Sequence, residues 1–337
     1  MKYGKNFILG VINGALFNLS EALMGGTTVL PTFISYITTS KVLIGLSGTM
    51  GNAGWFMPQL IVANLIEPLR RKKPVYIGAG IVRIVTIWGI ALILPVLLRS
   101  KPDAAVPFFF ILYTVYVLSA GVAGIPFMDI VAKVIPTDIR GSFFGSRLFF
   151  GGILSALAGI YVRNTLSAKP FPENFATLFV TASAFITTAI VLFCLVSEPE
   201  VKVREKRMPF KQFLLRGPFL LKDVKSYRML LVVRVLLGVW GMALPFYIIY
   251  ARERLGLAEG AIGVFLSIQM VGMIISNILW GALSNRMGNK IVLELVAGFA
   301  LISPLVTLLT LVCSPLRGTL CFCLLYTSDA ADEGLGV

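Results

Sequence analysis

Apolar stretches of about twenty residues recur along this chain, divided by short turns in which lysine and arginine gather. Each stretch is long enough to cross a hydrocarbon core of roughly 30 Å at about 1.5 Å per helical residue. Composition points the same way: 57% of the 337 residues are hydrophobic and 14% are charged. A soluble chain carries roughly a quarter charged residues. The sequence therefore reads as an all-α polytopic membrane protein.

The formal net charge is +14. Such a charge could serve nucleic acid, but no compact basic domain with interleaved aromatics is present, so that partner is excluded. Histidine is absent and the four cysteines lack metal-ligand spacing, so no metal and no cofactor are expected. The opening Met1 to Lys5 precedes an apolar run that is too long for a signal peptide and contains Glu21, so it reads as the first membrane helix.

The pattern predicts spans over Phe7–Ile37, Val42–Leu65, Val75–Leu98, Ala104–Val131, Phe143–Val162 and Ala176–Val196. A polar stretch follows from Ser197 to Arg228. Three further spans cover Met229–Tyr250, Ala261–Leu283 and Ile291–Val312, and a tenth begins near Thr319. About 20 of the 30 lysines and arginines fall on the side of the N-terminus and about eight on the other. Basic residues collect in cytoplasmic loops, so the N-terminus is placed in the cytoplasm, with a prokaryotic inner membrane as the expected location. Within the central stretch, Met208 to Arg228 alternates bulky apolar groups with Lys211, Arg216, Lys222 and Lys225. It reads as an interfacial segment drawn to anionic lipid.

A weak internal repeat accompanies this layout. An offset of 218 residues carries Leu65, Glu67 and Lys72 onto Leu283, Asn285 and Lys290, and Ile44-Gly45 onto Ile262-Gly263. Parallel repeats of transporters leave such traces.

The segment from Gly281 to Lys290, with Asn285, Arg286 and Gly288 inside it, resembles the G-x-L-x-D-R-x-G-x-[RK] loop motif of the major facilitator superfamily. Asn285 stands where that motif has aspartate. A more degenerate copy contains Glu67, Arg70, Arg71 and Lys72, and Pro136 to Gly141, with Arg140, resembles the family's loop entering helix five. The resemblance implies a fold of two six-helix halves: 1–196 as the first, 197–228 as a cytoplasmic loop, and 229–322 as an incomplete second half. Residues 323–337 resemble a translated sequencing adapter and are assigned no function. The resemblance further implies that the loop residues lock and release the two halves during switching.

Ionisable groups inside a span are costly, roughly 2.5 to 3.5 kcal/mol at the bilayer centre, and default to functional candidates. Glu21 is the strongest, with Asn13 and Asn18 on roughly the same face of its helix. The resemblance places helices one, four, seven and ten around a central cavity, where Glu21 would bind protons or a cationic solute. Tyr113, Tyr116, Trp240, Tyr247 and Gln269 are further candidates for the pathway. Asp129, one turn from Lys133, is assigned to an ion pair or gate contact with the loop arginines. Arg83 is given a structural role over contact with an anionic solute, and Arg147 and Arg234 are expected to snorkel to the headgroups. Glycines every third residue from Gly45 to Gly54, and the pair Gly141 and Gly145, are read as sites of close helix approach.

The function these features support is a proton- or ion-coupled carrier of a small solute, monomeric and working by alternating access. A membrane enzyme would need a carboxylate cluster, metal ligands or a nucleophile–base pair, and none is visible. A pump carrying its own motor would need a phosphate loop, which is absent. The alternative from another class is a receptor or assembly factor on the same fold. Ser197-Glu198-Pro199-Glu200 bears only a faint likeness to the sugar-porter motif after helix six.

Overall fold

A computed structural model describes residues 2–200, 221–255 and 262–272, together with positions 210, 218, 260, 275, 294, 295, 298 and 305. Gly281, Asn285, Arg286, Gly288, Lys290, the expected tenth span and the tail lie outside the described residues, as do most of the central loop and of the ninth span. Among the described residues there are helices and no strand. A bilayer core offers no water to backbone amides, and helices satisfy theirs within one segment.

The elements are α1 (Lys2–Leu23), α2 (Val29–Ile37), α3 (Lys41–Phe56), α4 (Gln59–Ile66), α5 (Lys73–Ser100), α6 (Pro102–Val134), α7 (Thr137–Ala168) and α8 (Glu173–Cys194). After the central stretch come α9 (Lys225–Gly241), α10 (Leu244–Leu255) and α11 (Ile262–Gly272). Five of these, α1 and α5 to α8, are each long and apolar enough to span a membrane unbroken.

Spans one, two and seven, expected as continuous helices, are each broken. Between α3 and α4 the cause is Pro58, which lacks the N–H needed to continue the ladder. Between α1 and α2, Gly25-Gly26 loosens the chain, and the Met24 N–H turns back to the Glu21 carbonyl at 3.2 Å. The break between α9 and α10 repeats that geometry 218 residues on. Met242 donates to Val239 at 3.2 Å as Met24 does to Glu21, and Phe246 donates to Ala243 at 3.0 Å as Thr28 does to Gly25 at 3.2 Å. The faint sequence repeat thus survives as a repeated backbone device.

α1 packs between α7 and α8, and α5 lies along α6 and α8. Polar side chains tie these apolar helices together. Asn13 donates to the Ala189 carbonyl at 2.7 Å and Ser20 to the Ala182 carbonyl at 2.8 Å, so seven residues forward on α1 match seven backward on α8. At one end Phe33 sits among Phe109, Phe171, Phe175 and Phe179 with ring centroids 5.1–6.2 Å apart. Outward faces stay apolar: Val85, Val96, Ile111, Leu157 and Val235 are all more than half exposed. Such rows suit lipid and would aggregate in water.

The same end joins α10 and α11 to the first six spans. Gly45 and Gly48 face Phe246 and Pro245 on α10, and a Cβ on Gly48 would also lie 2.6 Å from the Gly26 carbonyl. Gly159 on α7 and Gly263 on α11 meet backbone to backbone, and Ser267 donates to the Ala156 carbonyl at 2.7 Å. Lys41 pairs with Glu253 at 3.4 Å on the surface of that end. Gly45, Gly48 and Gly54 on α3 therefore do bring helices close, whereas Gly51 has only the Tyr113 hydroxyl nearby, 3.8 Å from where a Cβ would sit. Gly141 and Gly145 do not, since nothing lies within 4 Å of a Cβ built on either.

Candidate functional site

The break after α1 and the close approach of α11 enclose a cavity of about 550 Å³ inside the bundle. Its walls gather Asn18 and Glu21 from α1, Asn52 and Trp55 from α3, Arg83 from α5, Tyr113 and Tyr116 from α6, Ser155 from α7 and Gln269 from α11. Five of the expected pathway residues, Asn18, Glu21, Tyr113, Tyr116 and Gln269, thus share one space.

Glu21 faces the cavity and accepts from the Arg83 guanidinium at 2.6 Å. The Tyr116 hydroxyl sits between them, accepting from Arg83 at 2.9 Å and donating to Glu21 at 3.0 Å. The guanidinium is also stacked at 4.7 Å over Phe17 and 4.6 Å over Tyr116, so its apolar faces are covered while its edge is bonded. Tyr113 stacks on Tyr116 at 6.1 Å and on Phe109 at 5.3 Å, which fixes the phenol's position. Near the joined end, the Thr27 hydroxyl donates to the Gln269 side-chain oxygen at 3.4 Å.

Asn13 lines a second, smaller cavity of about 90 Å³ next to the first, with Tyr76, Arg83 and Arg147. Its side-chain oxygen accepts from Arg147 at 2.9 Å. Arg147 therefore turns inward against α1 and does not snorkel. Gly14 permits this, because a Cβ there would fall 2.6 Å from the guanidinium carbon. Tyr247 is buried on α10 apart from both cavities. The side chains of Trp240 and Arg234 lie outside the described residues. Trp55, Asn52, Ser155 and Arg147 line the two cavities without having been expected there.

The loop residues form a separate network at the opposite end. Lys72 reaches back to the carbonyls of Ile66, Glu67 and Leu69, neutralising the C-terminal end of α4. Glu198, its side chain 1% exposed, accepts from the amides of Lys72 and Lys73 at 2.9 and 2.8 Å and from Lys133 at 2.9 Å. Burial would raise the Glu198 pKa. The bonds from Lys133, Lys72 and Lys73 outweigh it and hold the carboxyl below its ordinary range. Asp129 pairs with Lys133 at 2.6 Å, not with loop arginines. Arg71 pairs with Glu200 at 3.1 Å, Arg140 donates to the Ala132 and Ile135 carbonyls, and Glu67 and Arg70 have exposed side chains. Among the described residues all these partners lie between Ile66 and Glu200.

Among the described residues no cluster of three or more cysteine, aspartate and glutamate side chains could hold a metal. The bundle, with a central cavity walled by helices from both parts of the chain, has the major facilitator fold on its likeness to solved transporters. The xylose transporter XylE from E. coli, in a partially occluded inward-open conformation, is similar over 99% of this chain and 85% of its own. Its TM-score is 0.68 at 16% identity. The nucleoside transporter NupG is similar over 99% of this chain and 81% of its own, with a TM-score of 0.64 at 14% identity. No family model and no curated protein matches the sequence.

Proposed function

We propose that the protein is a secondary active transporter of a small solute, working by alternating access, with Glu21 and Arg83 as the pair that couples solute movement to a proton or another ion. The observation that carries this reading is the 550 Å³ cavity with a hydrogen-bonded ion pair on its wall, roofed at one end by α10 and α11. An ion pair inside a bilayer is expensive to maintain and marks solute and proton pathways. With the N-terminus cytoplasmic, the roofed end faces outward and the molecule is inward-facing. The likeness to an inward-open sugar transporter supports that assignment.

In this reading residues 1–196 form one half, 229–322 part of the other, and 197–228 a loop on the anionic inner leaflet. The loop network around Lys72, Asp129 and Glu198, with Gly281 to Lys290 as its second copy, serves as the cytoplasmic gate. Residues 323–337 are given no role in this reading.

The test is solute flux into proteoliposomes by the purified protein, with and without an imposed pH gradient. Gradient-driven flux that disappears in Glu21→Gln supports the proposal. Gradient dependence unchanged in Glu21→Gln removes the coupling role, and no flux of any tested solute favours the receptor alternative.

A further inference from the structure

We propose that the small cavity between Arg83 and Arg147 binds an anionic group of carboxylate or phosphate size, belonging either to the solute or to a free inorganic anion. The proposal deepens the transporter reading above, and rests on that reading for its purpose though not for the binding itself.

The first argument is charge balance. Within the bundle Glu21 answers Arg83 one for one. Arg147 has only neutral partners among the described residues: the Gly10 carbonyl, the Asn13 oxygen, and the rings of Phe127 and Phe143 at 4.7 and 5.5 Å. Among the described residues Asp129 is taken by Lys133, and Glu198 by Lys133 with the Lys72 and Lys73 amides. Among the described residues the Arg147 charge is left over inside an apolar bundle, where a counter-ion is worth most.

The second argument is the shape of the site. Arg83 and Arg147 line the same cavity, with Asn13, Phe17, Trp55 and Tyr76, and no described carboxylate lines it. The Arg83 Nε has no hydrogen-bond partner, and Arg83 is only 5% exposed. The space of about 90 Å³ would take about three waters, or one carboxylate- or phosphate-sized group. Guanidinium forks match those oxyanions in plane and spacing. Phe17, Trp55, Arg83 and Ala120 border both cavities, so an anionic head here leaves its body in the aromatic-walled larger space.

The arrangement is also built to hold Arg147 in place. Asn13 is anchored through its amide nitrogen to Ala189, which presents its oxygen to Arg147, and Gly14 leaves the slot for the guanidinium.

The test is calorimetric titration of the purified full-length protein at constant ionic strength with inorganic phosphate, benzoate and glucose 6-phosphate. Benzamide and glucose serve as neutral counterparts. At least one anion should bind saturably while its neutral counterpart does not. Arg147→Gln should weaken that binding about tenfold or more, Arg147→Lys should keep part of it, and Glu21→Gln should strengthen it by freeing Arg83. Should Arg147→Gln fail to run as a monodisperse peak, Gly14→Ala displaces the guanidinium while keeping its charge, and the same loss is expected.

Organic anions binding far tighter than phosphate assign the group to the solute, and the reverse order assigns it to a free anion. The proposal is overturned if no anion binds, if a neutral counterpart binds as tightly, or if affinity ignores Arg147. Anion binding without flux would count against the transporter reading alone. Flux of a neutral solute without anion binding would count against this inference alone.

Discussion

Glu21 and Arg83 meet at 2.6 Å but are unequally buried, with 45% of the Glu21 side chain open to the cavity and only 6% of the Arg83 side chain exposed. The asymmetry decides which partner can stand alone. Glu21→Gln leaves a buried guanidinium without its counter-charge, whereas Arg83→Gln leaves a carboxylate that cavity water can solvate. Glu21→Gln should therefore cost more stability, about 1–3 kcal/mol, and the double variant less than Glu21→Gln alone. Thermal melts of the purified variants in one detergent check the order. Arg83→Gln proving the more damaging single change would contradict it.

Glu198 supplies a pH-dependent case outside the spans. Its folded pKa is lowered, so its contribution is fully present above the ordinary glutamate value of about 4.3 and is lost as pH falls through the lowered one. Glu198→Gln should reduce stability at neutral pH by about 1–3 kcal/mol, through the lost bonds to Lys72, Lys73 and Lys133. The gap between variant and wild type should stay flat from pH 7 to about 5 and close only below the carboxylate range. Melting curves at stepped pH read this directly. A gap that closes near pH 6 would assign the titration to another group.

What the sequence disclosed and what it hid follow one rule. Glu21 stood out because a carboxylate in an apolar run is a one-dimensional signal, and Tyr113, Tyr116, Asn18 and Gln269 followed because polar groups on cavity helices are few. Arg83 was visible but its partner was not, since the pairing of α1 with α5 is tertiary. Glu198 lay in a stretch read only as a faint motif, and its three donors arrive from Lys72, just before α5, from Lys73 at its start and from Lys133 on α6. Arg147 was misread because its place near a helix end fits snorkelling equally well. The small Gly10 and Gly14, one turn apart on α1, are the signal that could have pointed inward. The breaks were legible in uneven measure: Gly25-Gly26 and Pro58 mark two of them, while Met242-Ala243 is marked only by its register with Met24.

Topology gives a prediction independent of the cavity. Lys169 follows α7 at the roofed end and Arg70 follows α4 at the other, so single cysteines at these positions belong on opposite sides of the membrane. In intact cells Lys169→Cys should react with an impermeant maleimide, and Arg70→Cys should react only after the cells are opened. Labelling in the reverse pattern would invert the orientation and make the molecule outward-facing.

The contact between Gly159 and Gly263 holds α7 against α11 at the roofed end. A side chain on Gly159 would run into the Gly263 carbonyl and Ser267, which are backbone and a short side chain and cannot swing aside. Overpacking there should cost the closed arrangement about 1–3 kcal/mol while leaving the separate parts intact. Gly159→Val should therefore shift the population toward an arrangement open at the roofed end. Thr27, beside Gln269 under the roof, is the reporter. In a background without other cysteines, Thr27→Cys should react with an external impermeant thiol reagent about tenfold faster when Gly159→Val is present. Gly145→Val, at a position with nothing within 4 Å, should leave that rate unchanged. Equal acceleration by both substitutions would mean that the effect comes from general loosening of α7 and not from the α7–α11 contact.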